Sequence, residues 1–448
     1  MTLAPKSVFA DPGRIMNLPE ALEFAYRSNP QLLKERAVLE QTDENVPKAL
    51  SGWRPTISGS AAGNYSKSNY VTYPYGGAFR YNQRFSAPGY GVGITIKQPL
   101  FMGGKTVAST HRAMNTIYQE RAILIQTEQQ VFQNVVSAYV SMTQSRKVLA
   151  LTIENERTLS GQVQLTTRQL TLNQATETDV LQAKSQYETA RAATRQAESD
   201  VSVAAATFQR TVGTPPPGRL AEPSPATNLP RSQHESEDAA TESAPQLSAA
   251  KYALAASQNA VDVAFGSLWP QISAQASFER QVNQGEAKFD ENATTATIQA
   301  TIPLYQGGGE YAQIRAARRA AIAARHELEE QRRIVIQTAT TAWQKLLSDR
   351  DQLARNQNAV SFGEAALRSI QKQELLGVRT TFEVLQQQQL LFQQQKLQLQ
   401  NIANTVIDSY ALAAAIGRLT ADALHIDPAP YDPTIHLRAV KWKLFGIK

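Results

Sequence analysis

The residue types that most often carry catalysis or bind metal are sparse in this 448-residue chain. Cysteine is absent, which excludes disulfides, thiolate metal ligands and thiol nucleophiles. No serine nucleophile elbow is present. The five histidines lack the spacing of metal ligands and stand at His111, His234, His326, His425 and His436. We therefore expect no enzyme activity, no cofactor and no metal.

One short stretch has the ending of a phosphate-binding loop. Gly103 and Gly104 precede a lysine and a threonine, but the loop needs a glycine where the chain has Pro99. The same pair recurs as Gly307 and Gly308, without the lysine. We interpret both pairs as turns between a strand and a helix, where glycine allows the backbone to change geometry sharply.

The double glycines belong to a longer internal duplication. Pro303 follows Pro99 by 204 residues, Val384 follows Val180 by 204, and the same offset separates other matched positions along the chain. A register held over more than a hundred residues indicates two copies of one supersecondary unit.

Strands are predicted where apolar and polar residues alternate, since successive side chains of a strand point to opposite faces. In the second copy Ile272, Ala274, Ala276 and Phe278 share one face. We expect a hairpin at about 55–101 and another at about 270–306. Residues 65–90 of the first copy, rich in aromatic, glycine, serine and proline residues, are interpreted as a turn-rich segment.

Helical periodicity follows each double glycine. It continues for 65–70 residues, which makes a rod of roughly 100 Å at 1.5 Å per residue. A second helix follows each rod, and between Val180 and Phe208 its apolar and small residues recur three and four apart, as in a coiled coil. The whole chain is then organised as an N-terminal segment (1–17), a first repeat (18–213, with helices at about 104–172 and 176–212), a linker (214–244), a second repeat (245–417, with helices at about 309–376 and 380–416) and a C-terminal segment (418–448).

Two hairpins supply four strands, which cannot close on themselves. An open sheet edge in a membrane would leave backbone groups unpaired at several kcal/mol each, so a membrane sheet must pair with further copies of the chain. Two copies give about eight strands, filled by side chains, whereas three give about twelve and begin to leave a lumen. We therefore expect a β-barrel that extends into a helical tube, with soluble hairpins and plain coiled-coil spacers as the alternatives.

Composition restricts the surroundings of the chain. Charged residues make up 19% of it, and we find no run of the roughly 20 apolar residues that a spanning helix needs. The net charge of +6 is spread along predicted helices, so nucleic-acid binding is not expected. Residues 1–17 lack the basic and apolar regions of a signal peptide, and we expect none within this sequence.

Several motifs together resemble the TolC family of outer-membrane efflux ducts. They cover about residues 18–420, at Leu18-Pro19-Glu20-Ala21-Leu22 with Asn29-Pro30, the Trp53 and Trp269 strand starts, the two Pro-Leu-aromatic-x-Gly-Gly segments, and the helix turns at 176–181 and 377–385. The resemblance implies an α+β membrane protein, a homotrimer with a twelve-stranded β-barrel continuous with a twelve-helix α-barrel. It also implies an equatorial belt built from the linker and the C-terminal segment.

The same resemblance implies location and partners. The barrel would lie in outer-membrane lipid, and the helices would extend into the periplasm. A periplasmic adaptor and an inner-membrane transporter, of the resistance-nodulation-division or ABC type, would deliver drugs or proteins. The missing lipid-bearing cysteine resembles the type I secretion branch more than the lipoprotein branch.

In this family the turns after the rods form the periplasmic entrance. Thr178 and Asp179 match one side of a link that closes it, and Arg379 matches the arginine that reaches them from a neighbouring subunit. Glu383 matches the first position of an acidic ring. Two residues depart from the family pattern: Glu374 replaces a tyrosine, and Gln386 replaces the second acid of the ring, so the entrance should be less negative there. Ordinary solvated helix charge is the alternative for all of them.

Two other classes of protein remain as alternatives to a duct. A periplasmic adaptor also has a helical hairpin, but it should carry one such hairpin and soluble β-domains. A soluble coiled-coil scaffold would need neither the duplicated alternating strands nor the aromatic-rich segment.

Overall fold

The chain is described here by a computed structural model, which covers residues 17–73, 75–77, 80–283, 290–426 and 430–446. The described residues form long helices and a single four-stranded sheet. The strands are β1 (Thr56–Thr72), β2 (Tyr81–Met102), β3 (Gln271–Val282) and β4 (Asp290–Thr301). The helices are α1 (Leu18–Ser28), α2 (Pro30–Asp43), α3 (Asn45–Leu50), α4 (Lys105–Thr171), α5 (Glu177–Val212), α6 (Gln233–Ser243), α7 (Pro245–Phe265), α8 (Gly309–Leu375), α9 (Thr381–Ala415) and α10 (Ile435–Val440).

Two compact units are present. The helical unit consists of residues Met1–Leu39, Arg121–Ala249 and Glu329–Pro433, and the sheet unit consists of Glu40–Glu120, Ala250–Leu328 and Thr434–Lys448. The predicted N-terminal segment, 1–17, lies outside the described residues except for Asn17, as do residues 427–429 and 447–448 of the predicted C-terminal segment.

Aromatic side chains fill the core of the helical unit. Tyr139 and Phe208 are fully buried with their ring centroids 6.2 Å apart. The Tyr139 hydroxyl donates to the carbonyl of Ala221 at 2.8 Å, so a partly buried hydrogen bond connects the linker to α4. Burial also raises the pKa of Tyr139 to about 12, so this phenol remains a donor at physiological pH.

The coiled-coil pattern predicted for the helix after the first rod is present on α5. Val180, Ala183, Ala190, Thr194, Ala197, Ala204 and Phe208 are buried. Near the turn that precedes α5, Ala183 and Ala190 pack against Leu159 of α4 and Leu385 of α9. Small residues permit this close approach of three helices.

The helical N-terminus is interrupted where Asn29 precedes Pro30. Asn29 has extended backbone angles, φ −67° and ψ 123°, because a residue before proline is disfavoured in the helical conformation. Its side chain donates to the carbonyl of Thr211 at 3.1 Å and accepts from the amide of Gln31 at 2.9 Å. The break is therefore fixed by hydrogen bonds to α5 and to α2.

The predicted linker, 214–244, contains a helix. Residues 233–243 form α6, whose first turn is capped by Ser232, since its Oγ accepts from the amide of Glu235 at 3.2 Å. Glu237 of α6 accepts a hydrogen bond of 2.8 Å from Thr340 of α8. Serine at the cap and glutamate three residues later are a helix-start signal that the composition of the linker obscured.

The first hairpin lies where it was predicted, but its strands are longer than expected. Residues 65–90 were expected to form turns, yet β1 and β2 pair without interruption from Thr56–Lys97 to Thr72–Tyr81. Pro88 is tolerated within β2 because the pairing of β2 with β3 begins only at Tyr90, so among the described residues Pro88 has a neighbouring strand on one side. Tyrosine, threonine and valine fit strands better than turns, and the many glycines and serines masked this preference.

The two junctions between strand and helix also differ from each other. β2 continues through Met102, directly before Gly103, whereas β4 ends at Thr301, well before Gly307. The direct junction expected at Gly307 is therefore not found. Residues 99–102 pair with β3, with a bulge between Pro99 and Phe101, but β4 is an edge strand and residues 302–306 have no partner strand among the described residues.

Candidate functional site

The sheet has one apolar and one polar face. Paired residues on neighbouring antiparallel strands project to the same side. Ile57 pairs with Ile96, Ile96 with Ala276, and Ala276 with Ala296, which makes an apolar row across all four strands. Exposed apolar residues in the same or parallel rows are Val92, Ile94, Phe278 and Ile298.

The opposite face carries hydroxyl, amide and charged groups. Ser58 pairs with Thr95, Thr95 with Ser277, and Ser277 with Thr295. The next polar row contains Thr56, Lys97, Gln275 and Thr297. Ile57 is 71% exposed and Ile298 is 74% exposed, so in this single chain the apolar face is uncovered at both edge strands.

Both outer edges of the sheet are open in the described chain. The strand order is β1-β2-β3-β4, so β1 and β4 each pair with one neighbour. An edge strand presents a row of unpaired N–H and C=O groups, which is a template for pairing with another chain.

The double glycines have left-handed backbone angles. The φ values are +61° for Gly103, +79° for Gly104, +72° for Gly307 and +82° for Gly308, in a region that other residues rarely adopt. Gly103 is also closely packed, since a Cβ there would lie 2.6 Å from Cβ of Trp269 and would clash with the carbonyl oxygen of Gly266. A Cβ on Gly104, Gly307 or Gly308 would meet nothing within 4 Å.

The two helix turns of the predicted entrance repeat one backbone conformation. Asn173 lies between α4 and α5 with φ +56°, and Gly377 lies 204 residues later between α8 and α9 with φ +72°. In each turn a backbone amide one residue further on reaches back five residues, from Gln174 to Gln169 at 2.8 Å and from Val378 to Gln373 at 2.9 Å. Such bonds satisfy the last carbonyls of a helix.

Both following helices begin with a capping box. Thr176 Oγ1 accepts from the amide of Asp179 at 3.2 Å, and Asp179 Oδ2 accepts from the amide of Thr176 at 2.9 Å. In the second copy Glu383 donates its amide to Thr380 Oγ1 at 3.4 Å and accepts from the amide of Thr380 at 2.9 Å. Asp179 and Glu383 thus start helices, a role that the Thr-x-x-acid spacing in the sequence could have revealed.

Arg379 lies beside Glu383 in the same chain. Its Nη1 donates to Glu383 Oε1 at 2.5 Å, and its Nε donates to Gln373 Oε1 at 3.2 Å. The backbone amide of Thr380, followed by the Arg379 side chain, lowers the pKa of Glu383. The structure therefore brings together Arg379 and Glu383, whereas within the chain Asp179 bonds to Thr176.

The other predicted entrance residues are less constrained. Thr178 and Gln386 are exposed. Glu374 is half-buried, its carbonyl accepts from the amide of Gly377 at 2.9 Å, and its Oε1 is buried with no hydrogen-bond partner in the described part of the chain. Buried polar atoms normally have a hydrogen-bond partner, so this oxygen of Glu374 is an exception among the described residues.

A cluster of ligating side chains would indicate a metal site, and a long apolar helix would indicate a membrane span. In the ranges that the structure describes, no group of three or more histidine, aspartate or glutamate side chains could hold a metal ion. Among those same ranges, no helix combines the length and apolar character needed to cross a membrane.

Comparisons with known proteins assign the family. The family described as outer membrane efflux protein matches residues 21–214 and 238–418. The chain is 33% identical to the outer membrane efflux protein BepC of Brucella suis biovar 1 (strain 1330), over 96% of this chain and 92% of BepC. It is 22% identical to the outer membrane protein TolC of Escherichia coli (strain K12), over 93% of this chain and 85% of TolC.

A solved structure has the same fold. A membrane protein from Pseudomonas aeruginosa superposes with a TM-score of 0.79, at 18% identity, over 93% of this chain and 96% of that one. The predicted fold class, α+β with four strands per chain and long coiled-coil helices, is confirmed.

Sheet, helices and relatives together define a class of outer-membrane channels. The chain belongs to the outer membrane efflux protein family, of which TolC is a member, and the resemblance noted from its motifs is confirmed. It is an outer-membrane efflux channel. Its relatives are efflux proteins rather than enzymes, which confirms that expectation as well.

Proposed function

We propose that three copies of this chain close their sheets into one twelve-stranded barrel in the outer membrane. The single observation that carries this proposal is the amphipathic sheet with two open edges. In hydrocarbon each unpaired backbone group costs several kcal/mol, so β1 of one copy must pair with β4 of the next. The unpartnered residues 302–306 would then gain a neighbouring strand.

The two faces of the sheet give the barrel its orientation. The rows containing Ile57, Ile94 and Ile298 would face lipid, and the rows containing Ser58, Thr95 and Gln275 would face a water-filled lumen. Side chains of about eight strands fill a barrel interior, whereas about twelve leave a passage. A homotrimer is thus the smallest assembly that closes the sheet and leaves a lumen.

The long helices would form the periplasmic part of the passage. In this proposal residues 18–213 and 245–417 each supply one rod and one second helix, and the segments 214–244 and 418–448 form a belt around them. The turns at Asn173 and Gly377 would be the entrance, where Arg379 and Glu383 lie.

The Gly103–Gly104 segment is not a complete phosphate-binding loop, and we propose that the direction of transport comes from partners. We propose a periplasmic adaptor that docks beside the turns and an inner-membrane transporter of the resistance-nodulation-division or ABC type. The cargo would be small toxic compounds or secreted proteins. The relationship to BepC, named as an outer membrane efflux protein, supports export across the outer membrane.

The test is oligomeric state followed by single-channel recording. Protein purified from outer-membrane fractions in mild detergent should be a trimer and should conduct ions in planar bilayers. A monomer without conductance would overturn the proposal and favour a periplasmic adaptor or scaffold. Cargo is tested separately in a host that lacks its own duct, by comparing restored drug resistance with restored export of a type I substrate.

A further inference from the structure

A pair of buried carboxyl groups joins α8 to α9 in the helical unit. Asp349 of α8 is 7% exposed and Asp408 of α9 is 4% exposed. The two carboxyl groups lie close enough for one to hydrogen-bond to the other. Since a carboxylate has no donor of its own, such a bond forms only when one of the two groups carries a proton.

One cation lies beside this pair. Lys345, one turn before Asp349 on α8, donates from Nζ to Asp408 Oδ1 at 2.9 Å. The remaining oxygens, Asp349 Oδ2 and Asp408 Oδ2, are buried and have no hydrogen-bond donor among the described residues. With both groups ionised, one ammonium would face two buried carboxylates. With one proton added, the charges balance and each carboxyl group has a partner.

The described residues around the pair supply no second cation. Lys345 and Asp408 line a cavity of about 820 Å³ whose other walls are uncharged glutamine, threonine, alanine and isoleucine side chains from α2, α4, α7, α8 and α9. From the linker, the amide of Ala226 donates to Ser409 Oγ at 2.8 Å. From α6, Glu237 is bonded to Thr340, more than two helical turns from Asp349. Tyr410, next to Ser409, has a pKa raised above 10 by burial and remains neutral.

We propose that Asp349 and Asp408 form a proton-binding site that couples the packing of α8 against α9 to the pH around the protein. The Lys345 side chain is 62% exposed and glutamine and threonine side chains line much of the cavity, so a proton can enter and leave through solvent. When the proton leaves, the hydrogen bond between the carboxyl groups is lost and the two like charges repel each other across the helix contact.

The pH window follows from the charges on the pair. Burial, then the hydrogen bond to Asp408 and its charge, raises the pKa of Asp349 to about 6, and Lys345 opposes part of this rise. The unfolded chain releases the same proton near pH 3.8. Between these values the folded state holds more protons, so stability decreases as pH rises from about 4 to about 6 and then levels off.

The first experiment measures thermal unfolding midpoints of the purified full chain near pH 5 and near pH 7.5. Wild-type protein should unfold at a lower temperature near pH 7.5, and Asp349→Asn should lose most of this difference. Asp351→Asn, an exposed aspartate paired with Arg355 on the same helix, is the matched control and should keep it. An Asp349→Asn variant with the wild-type difference would overturn the proposal.

A second measurement on wild-type protein covers the case in which Asp349→Asn does not fold. Infrared difference spectra between the same two pH values should show a protonated carboxyl group that disappears. Burial also raises the pKa of Glu128, so the band must persist in Glu128→Gln, in which an acceptor for the amide of Ala421 remains. No titrating carboxyl band, or one lost in Glu128→Gln, would overturn the proposal.

A third measurement, single-channel conductance, rests on the proposed channel function. α8 and α9 lead to the turn that holds Glu374 and Glu383, so channel opening should differ between the two pH values in wild-type protein and less so in Asp349→Asn. Equal pH dependence in the two proteins would refute coupling to the entrance. Absence of any conductance, with the unfolding result intact, would count against the channel function alone.

Discussion

Arg379 Nη1 lies 2.5 Å from Oε1 of Glu383, its neighbour across the start of α9. The arginine also bonds to Gln373 in the last turn of α8, so one side chain connects the two helices of the second turn. Glu383, which matches the first acidic position of the family's ring, is therefore paired with an arginine of its own chain. Since both side chains are partly exposed, this pair affects local charge more than stability.

Replacing this arginine should open the entrance and make it more negative. We expect Arg379→Ser to raise single-channel conductance and to increase selectivity for cations, because Glu383 then faces the passage unpaired. Planar-bilayer recordings with a salt gradient measure both quantities.

The matched control for that variant is Arg355→Ser. Arg355 pairs with Asp351 four residues away on the exposed surface of α8, at 2.8 Å. Arg355→Ser removes the same charge from a similar ion pair that lies away from the turn. If the two variants gave equal conductance, the arginine at the turn would have no particular part in closing the entrance.

The two faces of β4 should respond differently to a charge. Ile298→Arg places a cation in the apolar rows and should reduce trimer in outer-membrane fractions, at a cost of about 2–4 kcal/mol if it lies near the middle of the bilayer. Thr297→Arg, the adjacent residue on the polar face, should assemble normally and shift ion selectivity towards anions. Equal assembly of both variants would contradict the assignment of lipid-facing residues.

The double glycines should tolerate alanine unequally. Gly103→Ala combines a left-handed backbone with a clash against Gly266 and Trp269, whereas Gly307→Ala has the strained backbone alone. Backbone strain of this kind costs roughly 1–3 kcal/mol, and the clash adds to it. Gly103→Ala should thus give a clearly lower yield of folded trimer than Gly307→Ala. Semi-denaturing gels of heated samples compare them, and identical yields would argue against the close packing at Gly103.

The capping boxes should control fraying of the helices that follow the turns. Thr176→Ala removes the acceptor for the amide of Asp179 and should cost about 1 kcal/mol locally. Faster hydrogen exchange is therefore expected in the first turn of α5. Thr178→Ala changes an exposed threonine two residues later and serves as the control. Unchanged exchange in Thr176→Ala would show that the cap contributes little.

Removing the lysine beside the buried acids should move their titration. Lys345 lowers the pKa of Asp349, so Lys345→Gln should raise it above about 6. Stability that wild-type protein loses as pH rises through about 6 should then be lost at a higher pH. Unfolding midpoints across the range from about pH 5 to about pH 8.5 locate this transition. A transition that stays in place or moves to lower pH would contradict the arrangement.

Much of the fold could be predicted from sequence periodicity. The constant offset of 204 residues indicated the duplication, and the alternation of apolar and polar residues predicted β3. The double glycines predicted where the long helices begin. These features were predictable because each depends on local backbone geometry, which residues close in sequence determine.

Features that depend on distant residues were not predictable in this way. β4 ends early because it is an edge strand, which a single sequence does not state. β1 and β2 pair along residues 65–72 and 81–90, although the glycines and serines there favour turns. Asp349 and Asp408 come from different helices, and neither has a neighbour in sequence that marks it as buried.

The turns at Asn173 and Gly377 have the same backbone conformation and backbone hydrogen bonds but carry different side chains. A binding protein that recognises backbone atoms of these turns would have two equivalent binding sites per subunit. A binding protein that depends on the Arg379 side chain would have one. The number of partner molecules bound per subunit therefore distinguishes backbone recognition from side-chain recognition.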